Sequence, residues 1–74
     1  MPDREEIATF VRTERRRHRM TQRDLAELAG VGVRFVSELE RSKPTIRLDA
    51  TNRVLAVFGK QVGVVSAPRP DEPL

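Results

Sequence analysis

The stretch Ala29-Gly30-Val31-Gly32 constrains the fold more than any other part of the chain. It separates two short segments that each carry an apolar stripe at helical spacing. Leu25, Leu28 and Ala29 precede it, and Phe35, Val36 and Leu39 follow it. Gly30, directly after the first stripe, supplies the left-handed residue that ends a helix. Gly32 can stand at the start of the next one. A connection this short makes the two helices close neighbours, although many helical hairpins have turns as short.

The flanking segments fit the same scheme. From Asp3 to Arg19 the pattern is helical, with Ile7, Phe10, Val11, Glu14, Arg15 and His18 on one face. Asp3, Glu5 and Glu6 occupy the first turn, where the helix dipole favours anions. Thr21-Gln22-Arg23-Asp24 reads as a threonine cap with an acid three residues later, opening the second helix. Arg41-Ser42-Lys43-Pro44 stops the third helix, since the residue before a proline is biased away from helix. A fourth helix is expected from about Arg47 to Phe58, with Leu48, Thr51, Val54, Leu55 and Phe58 on one face and Gly59 as its stop. Residues 61–66 contain Val62, Val64 and Val65 and read as a short strand. Residues 67–74 hold three prolines and two acids and read as a flexible tail. The expectation is an all-α, compact four-helix domain over residues 1–60, followed by a C-terminal strand and that tail.

Size and composition narrow the function. A chain of 74 residues supports one domain with a thin core. Without cysteine it has neither disulfides nor thiolate metal sites, and its single histidine makes no metal site alone. A small domain without such staples often borrows stability from a partner subunit. One histidine, no cysteine and no glycine-rich phosphate loop leave no catalytic set, so the chain is expected to be no enzyme and to need no cofactor. No apolar run approaches the roughly 20 residues that span a membrane. The opening MPDREEIATF lacks the apolar core of a signal peptide, so the default location is the cytoplasm.

The charge points to an acidic partner. The net charge is +3, and residues 12–23 alone carry six arginines: Arg12, Arg15, Arg16, Arg17, Arg19 and Arg23. Such a local excess suits phosphates, although a solvated basic helix face has the same composition. On the third helix, Arg34, Ser37 and Arg41 gather opposite Phe35, Val36 and Leu39, flanked by Val33 and Glu38. A short helix with that outer face suits the major groove. Arginine can grip guanine, serine can donate or accept, and valine can touch a thymine methyl. An ordinary amphipathic surface helix has the same pattern. The start of the second helix, at Thr21, Gln22 and Arg23, offers free backbone N–H groups to a phosphate. Arg41 and Lys43 lie where a loop would follow the DNA backbone.

The segment TQRDLAELAGVGVRFVSELERSKPTIRLDATNRVLAVFG resembles the repressor-type helix-turn-helix domain of phage Cro and repressor proteins, the XRE family. The resemblance runs roughly from Ile7 to Gly59. More narrowly, KPTIRLDAT and the valine-rich segment after it resemble HipB-type antitoxins. That resemblance implies a homodimer that represses its own operon on double-stranded DNA and binds a HipA-type kinase toxin. Within the family pattern Gln22 matches a phosphate-contacting glutamine, and Gly32, Val33, Arg34 and Ser37 match base-reading positions. The family usually has serine or threonine where this chain has Gly32, so a cap and a possible DNA contact are lost. Val33 also replaces a more usual polar residue, which shifts hydrogen-bond readout toward Arg34 and Ser37. The resemblance also pairs Arg15 with Glu40 as a structural ion pair. His18 is expected as a packed, hydrogen-bonded side chain.

Two further expectations follow. A lone strand exposes an unpaired edge, and pairing Val62, Val64 and Val65 with a second copy across a two-fold axis removes it. The alternatives to an antitoxin are a free-standing regulator of the same family and a basic protein-interaction module. RNA binding is disfavoured because there is no Tyr or Trp, and Phe10, Phe35 and Phe58 lie on or near inward faces.

Overall fold

The computed structural model describes residues 4–43 and 47–64. Within them lie four helices: α1 (Arg4–Arg17), α2 (Gln22–Ala29), α3 (Val33–Glu40) and α4 (Leu48–Ala56). Asp3, Pro44, Val65 and the tail 67–74 lie outside the described residues.

The four helices stop in the same way. Each is followed by a residue at left-handed φ: Arg19 at 56°, Gly30 at 71°, Ser42 at 59° and Gly59 at 72°. The next N–H then reaches back over the last turn, from Met20 to Arg15, Val31 to Ala26, Lys43 to Glu38 and Lys60 to Leu55, at 3.0–3.2 Å. These are Schellman closures, which satisfy carbonyls that a helix end leaves free. Glycine takes this conformation without strain at two of the four stops. Arg19 and Ser42 take it at a cost.

The core is small and aliphatic. Val11 of α1, Leu25 of α2, Val36 and Leu39 of α3 and Val54 of α4 are all fully buried, with Ala26 and Leu55 beside them. Ile7, Phe10, Met20, Phe35, Phe58 and Val62 close its rim. Phe58 meets Phe10 edge-to-face at a centroid distance of 6.1 Å.

Three expected core positions turn outward. Leu28 is 66% exposed, and Ala26 is buried in its place. At 100° per residue the bisector of Leu25, Ala26 and Ala29 leaves Leu28 roughly a quarter turn away. The small alanines let α2 approach its neighbours closely. Leu48 is 60% exposed because it opens α4 at the edge of the face, while Ala50 and Thr51 are buried. Thr51 keeps its hydroxyl satisfied by donating to the Arg47 carbonyl at 2.7 Å. His18 lies past the end of α1 rather than inside it. Its ring is mostly solvent-facing and stacks on Phe58 at 5.8 Å, which corrects the expectation of a packed, hydrogen-bonded histidine.

Residues 61–64 run without helix or ladder partner in this single chain. The Val62 N–H donates to Oδ1 of Asn52 at 2.8 Å, which ties the segment to α4. Val64 is fully exposed. Among the described residues there is no strand. No helix there is long and apolar enough to cross a membrane.

Candidate nucleic-acid interface

The start of α2 is held by a reciprocal cap. The Asp24 N–H donates to the Thr21 hydroxyl at 3.0 Å, and the Thr21 N–H donates to the Asp24 carboxylate at 2.9 Å. That second bond holds the Asp24 carboxyl below its usual range. The cap fixes the direction of the first turn, which carries half-buried Gln22 and exposed Arg23. Gly32 begins α3 with no side-chain cap, so the missing hydroxyl has no substitute there.

On α3, Val36, Leu39 and Glu40 are buried, and Val33, Arg34 and Arg41 are exposed. Ser37 is half-buried at the margin of the outer face. The Arg34 side chain is 89% exposed. Lys43 stands just beyond the helix. Glu38 links the two cations: its Oε1 lies 3.2 Å from Arg34 Nε and 3.3 Å from Lys43 Nζ. Lys43 first, and then Arg34, draw the Glu38 carboxyl below its usual range.

Behind this face, Glu40 organises the first three helices. Arg15 Nε donates to Glu40 Oε2 at 2.7 Å, and Arg15 Nη2 donates to Oε1 at 3.0 Å. The remaining amino group of Arg15 donates to the Met20 carbonyl at 2.8 Å. Gln22 Nε2 reaches Glu40 Oε1 at 3.3 Å. Arg12 donates to the Glu40 backbone carbonyl at 2.8 Å, which fills an acceptor at the end of α3. The carboxylate raises the Arg15 pKa further, so that guanidinium is permanently charged.

The basic cluster of residues 12–23 therefore divides. Arg12 and Arg15 turn inward to Glu40, whereas Arg16, Arg17, Arg19 and Arg23 are exposed. Arg17 makes only a long contact with Glu14, at 3.4 Å. The sequence pattern gives no sign of this role for Arg12, because nothing in it says that a carbonyl at the end of α3 lies within reach. The Arg34–Glu38 ion pair does have a signal in the sequence, since a spacing of four residues is that of a helical ion pair.

A short helix that presents Arg34 outward, with Arg41 and Lys43 just beyond its end, thus follows a capped helix after a tight turn. Glu40 ties it from behind to Arg12 and Arg15 of α1 and to Gln22 of α2. The sequence profile of the helix-turn-helix family matches residues 11–64. The chain belongs to the helix-turn-helix family. The matched stretch takes in the inward anchor Arg15, both helices of the motif and α4. The chain is also similar to an uncharacterized HTH-type transcriptional regulator of Sinorhizobium fredii, y4mF. The two are 34% identical over 61 residues, spanning 82% of this chain and 80% of that protein. Membership implies DNA binding, with α2 and α3 of this helix-turn-helix protein as the two helices of the motif.

Proposed function

We propose that this protein is a sequence-specific repressor that binds operator DNA as a homodimer. The observation that supports it best is the outer face of α3. Val33, Arg34 and Arg41 are exposed there and Ser37 lies at its margin, while the inner face is pinned through Glu40 to α1 and α2. In this reading Arg34 grips a guanine, Ser37 and Val33 complete base readout, and Thr21, Gln22, Arg23, Arg41 and Lys43 hold phosphates. The protein acts as a binding protein, not an enzyme, in the cytoplasm. Fluorescence anisotropy on labelled duplexes over a range of salt tests it. Binding to duplex DNA that weakens linearly in log–log form with salt is expected. A protein that binds no duplex at low salt contradicts the reading.

The dimer is assigned to the C-terminal segment, whose copies pair edge to edge through Val62, Val64 and Val65. Exposed Val64 supports this, while Val65 lies outside the described residues. Such pairing would set two recognition helices about 34 Å apart, one turn of DNA. A chain ending at Gly63 keeps the Val62–Asn52 bond and is expected to sediment as a monomer. A truncated chain that stays fully dimeric contradicts the assignment.

The narrower reading is an antitoxin that represses its own operon and neutralises a HipA-type kinase toxin. It rests on the likeness of KPTIRLDAT and the following valines to HipB-type antitoxins, with residues 44–46 of that stretch outside the described residues. Expression of the neighbouring gene alone tests it. Toxicity relieved by this chain is expected, and a harmless neighbour leaves a free-standing regulator as the correct reading.

A further inference from the structure

We infer that Glu38 is a positioning residue that aims Arg34 at DNA. The inference rests on the DNA-binding reading and adds a residue whose role is in specificity rather than contact.

The geometry is directional. Glu38 engages Arg34 through Nε, at 3.2 Å, which leaves the two terminal amino groups of the guanidinium without a partner among the described residues. Those two groups form the edge of the planar fork that can take guanine O6 and N7 together. A free arginine on an exposed helix samples many rotamers, and ordering it on binding opposes association. A contact that fixes the guanidinium from behind removes part of that cost before DNA arrives, for the orientation that reads a base.

Glu38 is itself held. The same Oε1 that takes Arg34 takes Lys43 Nζ at 3.3 Å, and only about a fifth of the Glu38 side chain is exposed. Lys43 comes from the closure after α3, where Ser42 sits at left-handed φ and the Lys43 N–H returns to the Glu38 carbonyl at 3.2 Å. The backbone bond and the ion pair together set Lys43 over Glu38, and Glu38 beneath Arg34. The carboxylate also places a negative charge on a face that meets phosphates. That charge weakens binding to any duplex, whereas the positioning helps only the duplex carrying a guanine in reach of Arg34. The two effects have opposite consequences for discrimination, and this makes them separable.

Glu38→Gln is the test. A duplex preferred by the wild-type protein is selected from a random-sequence pool. Affinities are then measured on it and on a scrambled duplex of equal length, at several salt concentrations. Glu38→Gln should bind the scrambled duplex more tightly, with a salt slope steeper by about one unit. Its preference for the selected duplex should fall about 3- to 10-fold, part of the roughly 5- to 150-fold that a bidentate arginine–guanine pair contributes. In an Arg34→Ala background the same substitution should leave the preference unchanged while still steepening the slope. A preference that Glu38→Gln leaves intact, or lowers equally without Arg34, overturns the inference and reduces Glu38 to a repelling charge. If the wild-type protein selects no duplex, the DNA-binding reading itself fails.

Discussion

Arg15 grips the Glu40 carboxylate with two parallel hydrogen bonds, at 2.7 and 3.0 Å, although the residues lie 25 positions apart in sequence. Glu40 is 4% exposed. Its charge is therefore tolerable only while Arg15 and Gln22 stay in place. Arg15→Ala should cost about 3–5 kcal/mol, because it strands a buried carboxylate. Arg15→Met with Glu40→Leu should cost far less than the two single changes added together. Urea unfolding of Arg15→Ala and of the four proteins of the Arg15→Met/Glu40→Leu cycle measures both values. Additive losses would mean that the pair is not energetically coupled.

The common helix closure gives a prediction free of contacts. A Cβ on Gly30 would meet nothing within 4 Å, so only backbone strain opposes it. Gly30→Ala should therefore destabilise by about 1 kcal/mol through its φ of 71° alone. Arg19→Gly should do the reverse, stabilising by several tenths of a kcal/mol or more, because Arg19 already holds that strain at 56°. Thermal unfolding shifts of opposite sign are the expected outcome.

The Thr21–Asp24 cap sets an acid limb on stability. Hydrogen bonds from Thr21 hold the Asp24 carboxyl below its ordinary value of 3.8. A carboxyl depressed in the folded state stabilises the fold above the unfolded pKa, and the contribution is lost as pH falls through the lower folded value. The Asp24 contribution is thus constant near neutrality and disappears below about pH 4. Asp24→Asn should lower the melting temperature at pH 7 and narrow its gap from the wild type in acid. A gap that is independent of pH would contradict the cap's ionic character.

Gln22 and Lys43 should weaken DNA binding in different ways. Lys43→Ala removes a phosphate charge, so it should weaken binding to every duplex and reduce the salt slope by about one unit. Because Lys43 also holds Glu38, the change should lower the preference for the selected duplex in part. Gln22→Ala removes no charge and should weaken binding with little change in slope. It also takes a hydrogen bond from Glu40, so some stability should go with it. Titrations over a salt series distinguish the two.

What the sequence revealed follows the range of each interaction. The Thr21–Asp24 cap, the Gly30 turn and the outward set Arg34 and Arg41 depend on neighbours within a few residues, so their spacing carries them. Leu28 and Leu48 depart from the expected inward face because a stripe fixes a helix face only to within a residue or so. Packing of the small Ala26 and Ala50 decides the rotation. The inward turn of Arg12 depends on a carbonyl 28 positions away, and a basic run gives no sign of it. His18 leaves the expected inward face because α1 ends at Arg17, before the periodic pattern does.

The central claim is that Arg34 reads a base from the outer face of α3. Its most direct test is the affinity of Arg34→Ala, against wild type, for the selected duplex and for a scrambled one across a salt series. Loss of most of the preference, about 1–3 kcal/mol, with little loss on the scrambled duplex is the predicted result. Equal weakening on both duplexes, together with a flatter salt slope, would make Arg34 a phosphate contact and contradict the account.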